Sequence, residues 1–186
     1  MKLLEQKIMQ EGLVKGSSVL DVGGFLNPMI DTSLIDKLAE EMYYLFQGSG
    51  ITKVLTIKSA GIPIACFTAK RLGVPALFAA KTKKEDRGSE YLTVPVPGSS
   101  VYITVPRKYI SRNDIVMIVD DFLGIGNATG ALVDIVGKAG ASLAGVGIMI
   151  ERQYLGGGDK IRNRGIRVEA LAKILSQDDE GNIVFE

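Results

Sequence analysis

Residues Val116–Gly130, VMIVDDFLGIGNATG, constrain the fold more than any other stretch of this 186-residue chain. The apolar run Val116–Val119 lacks the alternation of a half-exposed strand, the pattern of a parallel strand covered on both faces. Two acids, Asp120 and Asp121, end the run, a loop bearing Gly124 and Gly126 follows, and a helical pattern runs from about Ala128 to Ala139. Strand, loop and helix in this order form part of an α/β unit, and open α/β sheets bind ligands at the carboxyl ends of their strands. Free loop amides and the positive end of a helix dipole suit a phosphate. The carboxylates suit ribose hydroxyls or a magnesium ion. On residues alone this is a sugar-phosphate site. The competing reading makes Asp121 a helix cap and Asp120 a solvated strand end.

The rest of the chain supplies neighbours for that strand. Lys53–Ile57 reads as a strand, Ser59-Ala60-Gly61 as a turn, and Ile62–Leu72 as a helix ended by Gly73. Val74–Ala80 is the next strand. Tyr91–Val96 and Val101–Val105 alternate around Pro97-Gly98-Ser99-Ser100 and predict a hairpin. Leu143–Ile150 and Arg167–Ala172 are further strands. Upstream, Lys2–Glu11 is helical in spacing, Val19–Val22 is a short strand, and Asp31 caps a helix from about Thr32 to Gln47. Strands separated by helices of this length imply parallel pairing through right-handed crossovers. The expectation is an α/β fold with a central, mainly parallel sheet flanked by helices. The length suits one domain, 1–186, with the first fifty residues appended to its core.

Composition removes several chemistries. The chain has no histidine, which excludes histidine triads, ligands and general bases. Its one cysteine, Cys66, forbids an internal disulfide and agrees with a reducing compartment. Cys66 lies in an apolar helical segment, where packing is its expected role. A net charge of +1 gives no bulk attraction to nucleic acid or membrane. No apolar run reaches membrane-spanning length and the amino terminus lacks a signal-peptide core, so the cytoplasm is the expected location.

The apolar strand, acid pair, small-residue loop and helix at 116–139 resemble the phosphoribosyl-diphosphate signature of type I phosphoribosyltransferases. Residues 25–27, 51–63, 72–83 and 139–151 are similar, in order and spacing, to the bacterial branch of that family that uses xanthine. The likeness covers nearly the whole chain and is weakest between Glu85 and Ser111. It implies the type I phosphoribosyltransferase fold, with a small hood from the two terminal segments over the base site, residues 1–50 contributing to hood and base pocket.

The resemblance also implies roles. Gly124, Ile125, Gly126, Asn127 and Ala128 would hold the 5′-phosphate, chiefly through backbone amides, although Ile125 departs from the family's small or amide residues. Asp120 and Asp121, the catalytic pair, would face the ribose 2′- and 3′-hydroxyls and stabilise positive charge as pyrophosphate leaves C1′. Ser59, Ala60 and Gly61 would form the pyrophosphate turn, with Lys81 as a further pyrophosphate contact. Leu20 and Asn27 would contact the base. Arg152 stands where the family usually has lysine, facing the base's 2-position, where xanthine presents an oxygen. Magnesium would arrive mainly on the diphosphate, with no metal site of the protein's own. Lys81–Tyr109 resembles a mobile region that closes over such sites, and a homodimer is the implied assembly. Each assignment has a plainer competitor: an ordinary turn at 59–61, a solvated Lys81, a core leucine, a turn asparagine before proline, or Arg152 paired with Glu151.

The implied activity is phosphoribosyl transfer to N9 of xanthine in purine salvage, giving xanthosine 5′-monophosphate and pyrophosphate. Guanine, hypoxanthine or adenine remains as an alternative base. A non-catalytic regulator that senses phosphoribosyl diphosphate is the alternative class, although retention of both acids favours an enzyme.

Overall fold

The computed structural model describes residues 1–15, 19–85, 87–178 and 180–186. In chain order the elements are α1 (Lys2–Glu11), β1 (Leu13–Lys15), β2 (Val19–Asp21), α2 (Thr32–Phe46), β3 (Lys53–Ile57), α3 (Ile62–Leu72), β4 (Ala76–Thr82), β5 (Tyr91–Pro95), β6 (Tyr102–Pro106), β7 (Ile115–Leu123), α4 (Asn127–Ala139), β8 (Ser142–Arg152), α5 (Gly157–Arg162), β9 (Val168–Gln177) and β10 (Ile183–Phe185). The main sheet has the order β10-β9-β8-β7-β3-β4-β6-β5. Its five central strands, β9, β8, β7, β3 and β4, are parallel, while β10 on one side and the β5–β6 hairpin on the other add antiparallel edges. The expected α/β architecture is therefore present.

Both faces of β3, β7 and β8 are covered, which is why their sequences lack polar alternation, whereas β4 leaves Phe78 half exposed. Val54, Met117 and Val119 face one cluster with Ile35, Leu38 and Met42 of α2 and Ile64 of α3. Leu55, Val116 and Ile118 face the other, against Leu132, Ile135 and Val136 of α4. Each fully buried side chain of this kind contributes about 1.5–3 kcal/mol.

Two expectations change here, and a third gains detail. Helix α2, capped as expected by Asp31 accepting from the Leu34 amide at 3.0 Å, is not an appendage. Its apolar stripe, Leu34, Ile35, Leu38, Met42 and Phe46, is buried, because a stripe that wide needs the sheet and α3 to cover it. Cys66 is exposed rather than packed. Helix α3 buries Ile64, Ala65, Thr68 and Ala69, and the helical period turns residue 66 outward. The Lys81–Tyr109 segment is largely built into the sheet: Leu92, Ile103 and Val105 are fully buried. The rest of the charged run lies between β4 and β5, and of it Asp86 lies outside the described residues.

Strand β1 pairs antiparallel with β2, a short ribbon not expected from the sequence. The Gln177 side chain at the end of β9 donates to the Val19 carbonyl at 3.2 Å, and Phe25 and Leu26 sink into the first cluster. These ties set the ribbon at the carboxyl end of β9, where the turn bearing Gly181 approaches Val14. Residues from both ends of the chain thus meet there, where the hood is expected. Among the described residues no helix is long and apolar enough to cross a membrane.

Candidate active site

Five parallel strands end at one edge, and the candidate residues collect there. Strand β7 carries Asp120 and Asp121 near its end, β8 ends at Arg152, and Lys81 is next to last in β4. Strand β3 passes through the cis Lys58–Ser59 peptide and the turn Ser59-Ala60-Gly61 into α3.

Asp120 is 5% exposed, and its Oδ1 accepts from the Asp121 amide at 3.1 Å. Burial, followed by the adjacent charge of Asp121, holds the Asp120 carboxyl well above the ordinary carboxylate range. The Lys81 ammonium opposes that rise, so this exposed lysine stands within electrostatic reach of the acid. The turn after β3 lies directly on Asp120. A Cβ on Gly61 would fall inside the 3.0 Å limit of both Asp120 Oδ1 and Thr56 Oγ1. Only glycine lets this backbone approach the acid so closely. The structure therefore brings Asp120, Asp121, Gly61 and Lys81 together, with Ser59 exposed and Ala60 half-buried beside them.

The loop after β7 turns at Gly126, whose φ of +83° is left-handed, and α4 begins at Asn127. A cleft of ≈ 420 Å³ separates the loop from the hairpin tip, with Gly124, Ile125 and Gly126 on one wall and Pro97, Gly98 and Ser99 on the other. The departing residue, Ile125, is 53% exposed. The Asn127 side chain is engaged elsewhere, donating from Nδ2 to the Pro97 carbonyl at 2.8 Å and fastening the tip to the loop. Ala128 packs partly against the second cluster. Amides at a helix start suit an anion, and Gly126 and Asn127 stand at that end of α4. A larger cleft, ≈ 580 Å³ between Glu90 and Tyr109, contains none of the candidate residues.

Arg152 does not pair with Glu151. The Glu151 side chain is fully buried, and Arg162 of α5 grips it with two bonds of 2.7 and 2.6 Å. Successive residues of a strand face opposite ways, and the Arg152 guanidinium lies over the Phe122 ring, 5.2 Å from its centroid. Arg152 is in register with Ile174 of β9, the strand whose far end holds the hood. In the hood Leu20 is 5% exposed and belongs to the core cluster, whereas Asn27 is exposed on the loop after Leu26.

Sequence reasoning passed over Phe122, Thr56 and the run Gly156-Gly157-Gly158. Gly157 is pressed against the phosphate loop: a Cβ there would lie 2.5 Å from Gly126 N, 2.6 Å from Ile125 C and nearer still to Gly124 O. Three consecutive glycines after a strand were the available signal.

An acid pair at a strand end, a left-handed glycine loop opening a helix, and a glycine turn laid on the acid describe a protein built around a phosphorylated sugar. The family model for the phosphoribosyl transferase domain matches residues 29–154, and the chain belongs to that family. It is 42% identical to the xanthine phosphoribosyltransferase of Heliobacterium modesticaldum, covering 100% of both chains. It is 39% identical to that of Latilactobacillus sakei, over 100% of this chain and 96% of the relative. Among solved structures, the fold is similar to adenine phosphoribosyltransferase from Trypanosoma brucei, with a TM-score of 0.77, 19% identity, and coverage of 91% of this chain and 79% of that one. The enzyme from Thermoanaerobacter pseudethanolicus gives 0.75 and 19%, covering 91% and 99%.

Proposed function

We propose that this chain transfers the 5-phosphoribosyl group from 5-phospho-α-D-ribose 1-diphosphate to N9 of xanthine. The products are xanthosine 5′-monophosphate and pyrophosphate, and the pathway is purine salvage. The observation that carries the transfer chemistry is the placement of Gly61 against Asp120 at the edge that also holds the phosphate loop. The choice of xanthine is supported by the full-length relatives and by a cation, Arg152, at the end of β8.

In this reading the amides of Gly124–Ala128 receive the 5′-phosphate, and the turn Ser59–Gly61 with Lys81 receives the diphosphate. The C1′–oxygen bond breaks with its electron pair leaving on pyrophosphate, N9 bonds to C1′, and the N9 proton passes to solvent. Asp120 and Asp121 face the ribose hydroxyls. As positive charge develops on the ring, it draws Asp120 toward its ionised form, and the carboxylates stabilise that charge. Among the described residues no group of three or more His, Cys, Asp or Glu side chains gathers to hold a metal. Magnesium, arriving on the diphosphate as part of the substrate, would supply positive charge to the leaving group, which Ser59–Gly61 and Lys81 would meet from the protein side.

Arg152, steadied over Phe122, meets the oxygen at the base's 2-position, while Asn27 and Leu20 close the base pocket from the hood. The chain acts as one domain, in the cytoplasm, and as a homodimer. Turnover on a panel of xanthine, guanine, hypoxanthine and adenine with magnesium and phosphoribosyl diphosphate tests the proposal. Xanthine is expected to be the best substrate, and failure on xanthine beside good use of another base refutes the choice. Asp120→Asn with Asp121→Asn is expected to lower kcat about 10²-fold or more, in the range of other electrostatic stabilisers. Unchanged kcat refutes their role.

A further inference from the structure

Thr56, next to last in β3, has no part in the scheme above. It is 1% exposed, and among the described residues its Oγ1 has no hydrogen-bond partner. An unsatisfied buried hydroxyl destabilises the fold that holds it, and valine, similar in shape and well suited to strands, would avoid that cost. The hydroxyl also occupies a particular place. The point where a Gly61 Cβ would sit lies within 3.0 Å of both Thr56 Oγ1 and Asp120 Oδ1. The two oxygens therefore flank one point, from the adjacent parallel strands β3 and β7. Gly61 keeps the space between them clear of a side chain.

We propose that Thr56 is a positioning residue for phosphoribosyl transfer, its hydroxyl fixing the Asp120 carboxyl in the orientation that meets the ribose. This rests on the role given to Asp120 above. In the free protein, burial and Asp121 favour the protonated carboxyl, and its demand for a donor is small. Substrate and developing ring charge shift the acid toward its carboxylate. A hydroxyl that faces it then donates a charge-assisted bond, which is shorter and stronger than a neutral one. The cost of the unsatisfied hydroxyl falls on the free protein, and its benefit on the reacting complex.

The test compares wild type, Thr56→Val and Thr56→Ser in steady-state turnover of xanthine with magnesium and phosphoribosyl diphosphate. Thr56→Val is expected to lower kcat about tenfold, the scale of one such bond. Its KM for xanthine should stay within twofold and its melting temperature should equal or exceed that of wild type. Thr56→Ser should keep kcat within about threefold, and in an Asp120→Asn background Thr56→Val should cost little more. Thr56→Ala serves as the hydroxyl-free variant if valine does not fold. A merely structural threonine would give the opposite pattern: a lower melting temperature with kcat unchanged in the folded fraction. Wild-type kcat in Thr56→Val, equal losses in the serine and valine variants, or full additivity with Asp120→Asn overturns the proposal. Absence of xanthine turnover by wild type refutes the functional reading instead, so the two failures are distinct.

Discussion

Gly157→Ala tests whether the phosphate loop is held in place from behind. The added methyl would lie 2.5 Å from Gly126 N, 2.6 Å from Ile125 C and closer to Gly124 O, where ordinary contact begins at 3.4 Å. All three obstacles are backbone, so no side-chain rotation relieves them. Helix α5 cannot easily retreat, because Arg162 at its end is forked onto buried Glu151 and Gly158 already lies against that carboxylate. The loop must therefore give, by about 1 Å, and a misplacement of that size can cost roughly 10²-fold. The expected result is a fall of about 10²-fold in kcat/KM for phosphoribosyl diphosphate, with KM for xanthine little changed. Overpacking of about 1–3 kcal/mol also lowers the melting temperature by several degrees, at roughly 2–4 °C per kcal/mol for a chain of this size. Steady-state kinetics with each substrate varied, beside scanning calorimetry, reads both quantities. Gly137→Ala is the control: its methyl meets nothing within 4 Å on an exposed turn of α4, and should stabilise by about 0.5–1 kcal/mol without touching kinetics. A folded Gly157→Ala protein whose kcat/KM for phosphoribosyl diphosphate lies within threefold of wild type refutes the reasoning.

Two further perturbations probe the buried charges. Because the folded protein holds the Asp120 carboxyl above its ordinary value of 3.8, the native state binds that proton more tightly than the unfolded chain. Stability from this source is complete below pH 3.8 and is lost as pH rises through the raised value. Asp120→Asn does not titrate, so its melting temperature relative to wild type should increase between pH 4 and 8, and a difference that stays flat across that span refutes the assigned shift. Arg162→Met leaves Glu151 buried without its partner, at a cost of about 3–5 kcal/mol. This corresponds to a fall of about 10 °C by calorimetry; a change under about 2 °C would show that Glu151 is satisfied in another way.

Much of this architecture was legible because several local signals agreed. At Val116–Ala139 the apolar run, the acids, the glycines and the helical period all indicate one strand–loop–helix unit, and the structure contains it as β7 and α4. The Pro97–Ser100 turn likewise defined the β5–β6 hairpin. Short elements that lean on distant partners were not legible. Helix α5 has six residues and opens on two glycines, so its propensity argues for loop; it is held by Glu151 and by the phosphate loop. Strands β1 and β10 have three residues each and depend on pairing with β2 and β9. The α2 stripe was seen, but its destination in the core was not, because periodicity identifies a buried face without identifying what covers it.

The site divides along the same line. Asp120 and Asp121 were legible because two acids end an apolar strand and parallel strands deliver their carboxyl ends to one edge, whereas Lys81 entered only through the family resemblance. Residues that act through what lies beside them were not. Gly61 was named as part of the turn that the resemblance assigns to pyrophosphate, but its close approach to Asp120 on the neighbouring strand was not legible. Gly157 reads as loop, yet its missing side chain leaves the phosphate loop its place. Thr56 reads as an ordinary strand threonine, and only its burial without a partner beside Asp120 sets it apart. The Glu151 and Arg152 pair makes the point most sharply. Adjacency in sequence suggested an ion pair, but the strand sends the two side chains to opposite faces. Glu151 goes inward to Arg162, beneath the glycines that brace the phosphate loop, and Arg152 goes to Phe122. If the proposed reaction holds, one β8 terminus serves both of its halves: Glu151 anchors α5 behind the Gly124–Gly126 loop, and Arg152 stands on the other face, where the proposal puts the base.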